Sequence, residues 1–211
     1  MKIPFFTVKS DASGRPLVTG RIRYVAWLAG LVLMFCLQQK PILAVGQEFV
    51  AVNPYRVEAA FLRNFAHYVT WPPHAFDQDS TPWHIGILGP DPFREFLEHT
   101  FAGRSEQGRS FKIFRADRLD KLPPCHIVFI AFHDAVKRRA ALEKLKDKPI
   151  LTVGEASDFL REGGIIRFQV RDRIGMSVNL DQARAASLII QTKMLEVSDK
   201  VLENGVVRKM R

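Results

Sequence analysis

The chain has 211 residues, 47% of them hydrophobic and 25% charged, with a formal net charge of +9 and no repeat or low-complexity segment. This is ordinary globular composition. Residues 1–46 hold six of the 31 Lys and Arg and one of the 22 Asp and Glu, so the remainder carries only +4. Nucleic-acid binding needs a concentrated basic face, and no nucleic-acid partner is expected.

Arg21 and Arg23 precede an apolar run, YVAWLAGLVLMFCL, from Tyr24 to Leu37, and Ala44-Val45-Gly46 places small residues before Gln47. A basic segment, a short apolar run and a small-residue exit describe a secretory signal peptide. The run is shorter than the roughly 20 residues that cross a bilayer. The expectation is a signal peptide over 1–46, cleavage near Gly46, and export of 47–211 to the periplasm; an uncleaved anchor is the alternative. Phe35 is too bulky to precede a lipidated Cys36. The exported length suits one domain that stands without staples. Cys125 is its single cysteine, so no internal disulfide can form.

Asn53-Pro54 reads as a capped helix start. Val57, Phe61, Leu62, Phe65, Ala66, Tyr68 and Val69 then recur at helical spacing. Trp71-Pro72-Pro73 ends that helix, because a residue before proline is pushed out of helical dihedrals. Glu58 falls inside the apolar arc. It lies either beyond the sheet edge or in the core as a functional carboxylate, and both readings stay open.

Trp83–Leu88 reads as a buried strand. A Gly89-Pro90-Asp91-Pro92 turn then leads into a helix over Phe93–Thr100 with Asp91 as N-cap. Strands follow at Phe111–Arg115, His126–Ala131 and Pro149–Val153, with helices near Asp134–Lys146 and Ala156–Arg161. Gly163-Gly164 breaks the last of these. Ile165–Val170 and Ile174–Asn179 form a hairpin through Arg171-Asp172-Arg173. A long final helix is expected from Asp181 to near Gly205. It carries a stripe of Ala183, Ile190, Met194, Val197 and Val201 and a row of Leu188, Leu195 and Leu202. The leucine row belongs either to one wide core face or to a contact with a second subunit. The alternation of strand and helix predicts an α/β single-domain sandwich with a largely parallel sheet, an antiparallel hairpin and helices on both faces.

No catalytic constellation emerges. Cys125 and His126 are strand neighbours whose side chains point to opposite faces, so they cannot form a dyad. The six histidines show no metal-ligand spacing, and no metal or cofactor is expected. Open α/β sheets bind ligands beyond the C-terminal ends of their strands. Those ends would present Asp91, His133, Asp134 and Glu155, the candidate small-ligand residues. Trp71 is either a core plug or a partner-binding residue, tryptophan being enriched in binding hot spots.

In chain order, YRVEAAFLRNFAHYVTWP, LGPDPF, CHIVFIA, PILTVGEASDFLREGGIIRF and MSVNLDQARAASLIIQTKML closely resemble the YfiR-like periplasmic proteins, from about Tyr55 to Glu203. The resemblance implies a compact α/β domain, typically dimeric and without enzymatic activity. It also implies binding to the periplasmic sensory domain of an inner-membrane diguanylate cyclase. Such binding represses cyclic di-GMP synthesis and restrains biofilm formation. Some relatives tune the switch with disulfides, a route that the lone Cys125 closes internally. Pro90 stands where relatives often carry another polar residue, which stiffens the turn.

Overall fold

The computed structural model describes residues 53–210; the expected signal peptide lies outside the described residues. Helix α1, Pro54–Tyr68, starts as its sequence dictates: Asn53 Oδ1 accepts the Tyr55 amide at 3.0 Å and Pro54 occupies the first turn. Its buried face comprises Glu58, Ala59, Leu62, Phe65 and Ala66. At Val69 the backbone turns extended, and the two-residue strand β1, Val69–Thr70, pairs antiparallel with β9, Ile189–Ile190.

The main sheet contains β2 (Trp83–Leu88), β3 (Ser105–Glu106), β4 (Arg109–Ala116), β5 (Ile127–Ile130), β6 (Leu151–Gly154), β7 (Ile166–Val170), β8 (Ile174–Asn179), β10 (Lys200–Glu203) and β11 (Val206–Lys209). Their spatial order is β11-β10-β8-β7-β6-β5-β2-β4-β3. The five neighbours from β4 to β7 run parallel. β8 turns back against β7, as the Arg171-Asp172-Arg173 hairpin predicts. β10 lies parallel to β8, and β11 and β3 close the two edges antiparallel.

Successive strand side chains alternate faces, and that alternation separates two cores. Ile85, Ile87, Ile127, Phe129, Leu151 and Val153 pack with α1 and with α2, Phe96–Phe101. Leu88, Val128 and Ile130 pack on the other side with α3, Ala135–Leu145. The described residues thus form the expected mixed α/β sandwich, with helices on both faces of a largely parallel sheet.

Three local expectations are corrected. The long final helix does not form: α4 spans only Leu180–Ala185, Ser187 adopts φ 56°, and β9 follows. A short α5, Thr192–Glu196, then precedes β10 and β11. The β-branched pairs Ile189-Ile190 and Val206-Val207 favour extended backbone. Asn204 and Gly205, at φ 53° and 72°, make the hairpin turn between β10 and β11 that an Asn-Gly pair favours. Leu188, Leu195 and Leu202 therefore sit on separate segments and form no helical seam. The second helix starts at Phe96 rather than Phe93, with Asp91 instead accepting the Phe93 amide at 2.8 Å. No helix forms over residues 156–161, where turns run through 157–163 instead. That connection is shaped by Phe159, whose buried ring fills space next to Gly154 and Gly164. A Cβ at Gly164 would come within 2.2 Å of the ring.

Candidate functional site

The parallel strands β5 and β6 end side by side, and the connections that leave them enclose a cavity of about 300 Å³. Ala131, Phe132 and His133 contribute from the segment after β5, and Glu155, Ala156 and Ser157 from the turn after β6. Arg138 of α3 organises the wall. The residue is only 4% exposed, and its guanidinium grips Glu162 with Nε at 2.5 Å and Nη2 at 2.8 Å. It also donates to the Phe132 and His133 carbonyls at 3.1 Å. One buried cation therefore fixes the β5–α3 segment and holds the far end of the β6–β7 connection.

Glu58 lies behind this cavity on α1. It is 0% exposed, and neither carboxyl oxygen meets a hydrogen-bond donor among the described residues. Its polar neighbour is another carboxyl group, that of Glu155. Burial first and the Glu155 charge second push the Glu58 pKa up to about 9. Burial also raises Glu155, an effect opposed by its contacts with Glu58 and His133. The Tyr55 phenol is raised by burial and by the charges of Glu155 and Glu58. Tyr55, Glu58, His133 and Glu155 therefore share one electrostatic neighbourhood built from α1 and two strand ends.

Of the sequence-derived candidates, His133 and Glu155 line the cavity together. Asp134 stands next to His133, but its Oδ1 caps α3 by accepting the Lys137 amide at 2.7 Å. Asp91 is occupied elsewhere, holding Arg115 Nε at 2.7 Å in a cluster with Glu98. Trp71 is 6% exposed and meets Trp83 edge-on at 4.9 Å between ring centroids, so its indole is packed in the core. Arg138 and Glu162 escaped the sequence reading, since nothing local connects residues 24 apart in the chain. Glu58 did carry a signal, as an acid in an apolar arc.

Cys125 and His126 fall on opposite faces. The Cys125 thiol packs with Leu88 and Val128, and burial pushes its pKa up to about 12, far from a reactive thiolate. The His126 ring stacks on Phe76 at 4.4 Å, and burial lowers its pKa to about 4. Its Nδ1 accepts the His84 amide at 2.9 Å while Nε2 donates to the Ala75 carbonyl at 3.1 Å, the arrangement of a neutral ring. No group of three His, Cys, Asp or Glu among the described residues could hold a metal ion.

A family model described as YfiR/HmsC-like matches residues 55–199. The chain belongs to that family. The YfiR/HmsC-like match spans Tyr55, Glu58, His133, Arg138, Glu155 and Glu162, so the cavity and the carboxyl pair behind it lie within the family region. Among curated proteins, none matches the sequence.

Proposed function

We propose that this YfiR/HmsC-like protein is exported to the periplasm, there binds the periplasmic sensory domain of an inner-membrane diguanylate cyclase, and represses cyclic di-GMP synthesis. The observation that carries the proposal is the family match over residues 55–199, since the YfiR-like family is one of regulators rather than catalysts. The basic-then-apolar pattern around Arg21 to Leu37 supports export. A thiol with a pKa near 12 and a histidine near 4 suit scaffolding better than nucleophilic chemistry. The protein works by occupancy, one regulator per cyclase, and as a homodimer.

Deleting the coding sequence and measuring cyclic di-GMP tests this reading. The level is expected to rise, and the tagged protein is expected to recover an inner-membrane cyclase after crosslinking. Unchanged levels together with no membrane partner would remove the regulatory role.

A second reading is favoured by the cavity at the strand ends, whose His133 and Glu155 offer a small ligand two polar contacts. In that reading the protein is a periplasmic small-ligand sensor. A metabolite that raises the melting midpoint of the native protein but not of His133→Ala supports it.

A further inference from the structure

Glu58 is anchored in the second turn of α1, with Ala59 and Leu62 beside it in the core, and cannot leave without unpacking the helix. Glu155 is the first residue after β6, is half-buried, and has the cavity on its other side. The two carboxyl groups meet in a place where Glu58 has no donor among the described residues. Two ionised carboxylates in contact in a dry site repel strongly, whereas one proton between them turns the contact into a hydrogen bond.

Among the described residues the surroundings supply no alternative neutraliser for Glu58. From α1, Tyr55 offers only a phenol that both acids push upward. From the β5–α3 segment, His133 acts on Glu155 rather than on Glu58, and Asp134 is spent on the cap of α3. From α3, Arg138 is fully engaged by Glu162 and two carbonyls. From β7, Arg167 reaches only the Glu155 carbonyl oxygen, at 3.5 Å.

We propose that Glu58 and Glu155 form a proton-held clasp between α1 and the β6–β7 connection, and that deprotonation releases Glu155 into the cavity as a free carboxylate. Only Glu155 can move, because Glu58 rides on a core helix and the rest of the connection is held by Phe159 and by the Arg138–Glu162 pair. In the clasped state the pair carries one negative charge, held between the two acids by the hydrogen bond. In the released state it carries two, and the one on Glu155 faces the cavity beside His133. Proton concentration then sets the charge that the cavity shows to a ligand. This device goes beyond the regulatory reading and stands or falls separately from it.

The raised pKa of Glu58 agrees in direction and fixes the sign of the test. An acid whose folded pKa lies above its ordinary 4.5 binds its proton more tightly in the native state. Its contribution is complete below that value and is lost as pH rises towards about 9. One proton changes the folding constant by at most about tenfold per pH unit.

Chemical denaturation of the purified protein across pH 5 to pH 9 reads this directly, with Glu58→Gln and Glu155→Gln alongside. The wild-type folding constant is expected to hold nearly level up to about pH 6.5, where the opposing titration of His126 cancels the slope, and to fall from there towards pH 9. Glu58→Gln is expected to flatten that fall and to match or exceed wild type at pH 9. Where Glu58→Gln does not fold, Glu155→Gln decides: its amide can donate to Glu58, so the fall should level off at lower pH. A variant profile superimposing on wild type overturns the proposal. Infrared spectroscopy at pH 7 should show the C=O stretch of a neutral carboxylic acid that Glu58→Gln lacks, and its absence from wild type likewise overturns it. A wild-type midpoint raised at pH 9 by calcium chloride, and not raised in Glu155→Gln, would assign the neutralising role to a metal ion and overturn the shared proton.

Discussion

Arg138 does the work of several residues: its guanidinium neutralises Glu162 and ties down two carbonyls of the cavity wall. Replacing it with alanine leaves a nearly buried carboxylate and two carbonyls unpaired, a change that costs about 3–5 kcal/mol in buried pairs. Urea denaturation should show a loss of that order for Arg138→Ala. Arg138→Met combined with Glu162→Leu should recover much of it, because no charge is then stranded. Lysine in place of Arg138 cannot reproduce the two-point grip on Glu162. Cys125 makes a second expectation at this scale. With a thiol pKa near 12 and 6% exposure, it should resist alkylation at pH 8 in the native protein and react readily once unfolded. Peptide mapping of the labelled Cys125 checks this, and rapid native labelling would contradict the burial.

Glycines separate two kinds of constraint among the elements. Gly205 turns between β10 and β11 at φ 72°, where an added Cβ would meet nothing within 4 Å. Gly205→Ala should therefore cost only the left-handed backbone penalty, about 1–2 kcal/mol. The loss should show as faster amide exchange confined to residues 200–209. Gly164 poses the opposite problem, since a Cβ there would run into the Phe159 ring. Gly164→Ala should cost about 1–3 kcal/mol through overpacking. Because Phe159 supports the turn that begins with Glu155, amide exchange there should quicken at residues 155–165. Both the hairpin turn and the segment before it lie in the region that helical periodicity misread. Ala183, Ile190, Met194, Val197 and Val201 satisfy a helical wheel, yet short β-branched runs satisfy strands equally well. The Asn204-Gly205 pair was the local clue that settles the choice.

Across the whole molecule, two buried groups pull stability in opposite directions with pH. His126 is held neutral with its pKa lowered to about 4, so its contribution is present above the ordinary 6.5 and is lost as pH falls towards 4. Glu58 behaves in the reverse sense, losing its contribution as pH rises from 4.5 towards about 9. Between about 4.5 and 6.5 the two slopes oppose each other and largely cancel. Thermal unfolding should therefore show a stability plateau in that window. His126→Gln should soften the acid limb and leave the alkaline limb in place. An acid limb unchanged by His126→Gln would remove the histidine from this account.

Much of the architecture was legible without coordinates. Trp83–Leu88 matches its strand residue for residue, and Asn53-Pro54 caps α1. Such signals are local: an apolar run, a capping oxygen or a proline acts within a few residues of itself. The sequence named Asp91, His133, Asp134 and Glu155 together as strand-end groups, and of these four the fold brings His133 and Glu155 to one cavity. The meeting of Glu58 with Glu155, the grip of Arg138 on Glu162 and the burial of Trp71 were decided only by the tertiary fold. Each joins groups far apart in the chain, and their charge and hydration depend on which surfaces the folded sheet excludes from water. Sequence determined which segments could be strands and helices. Packing alone determined which carboxyl groups lost their water and so had to share what remained.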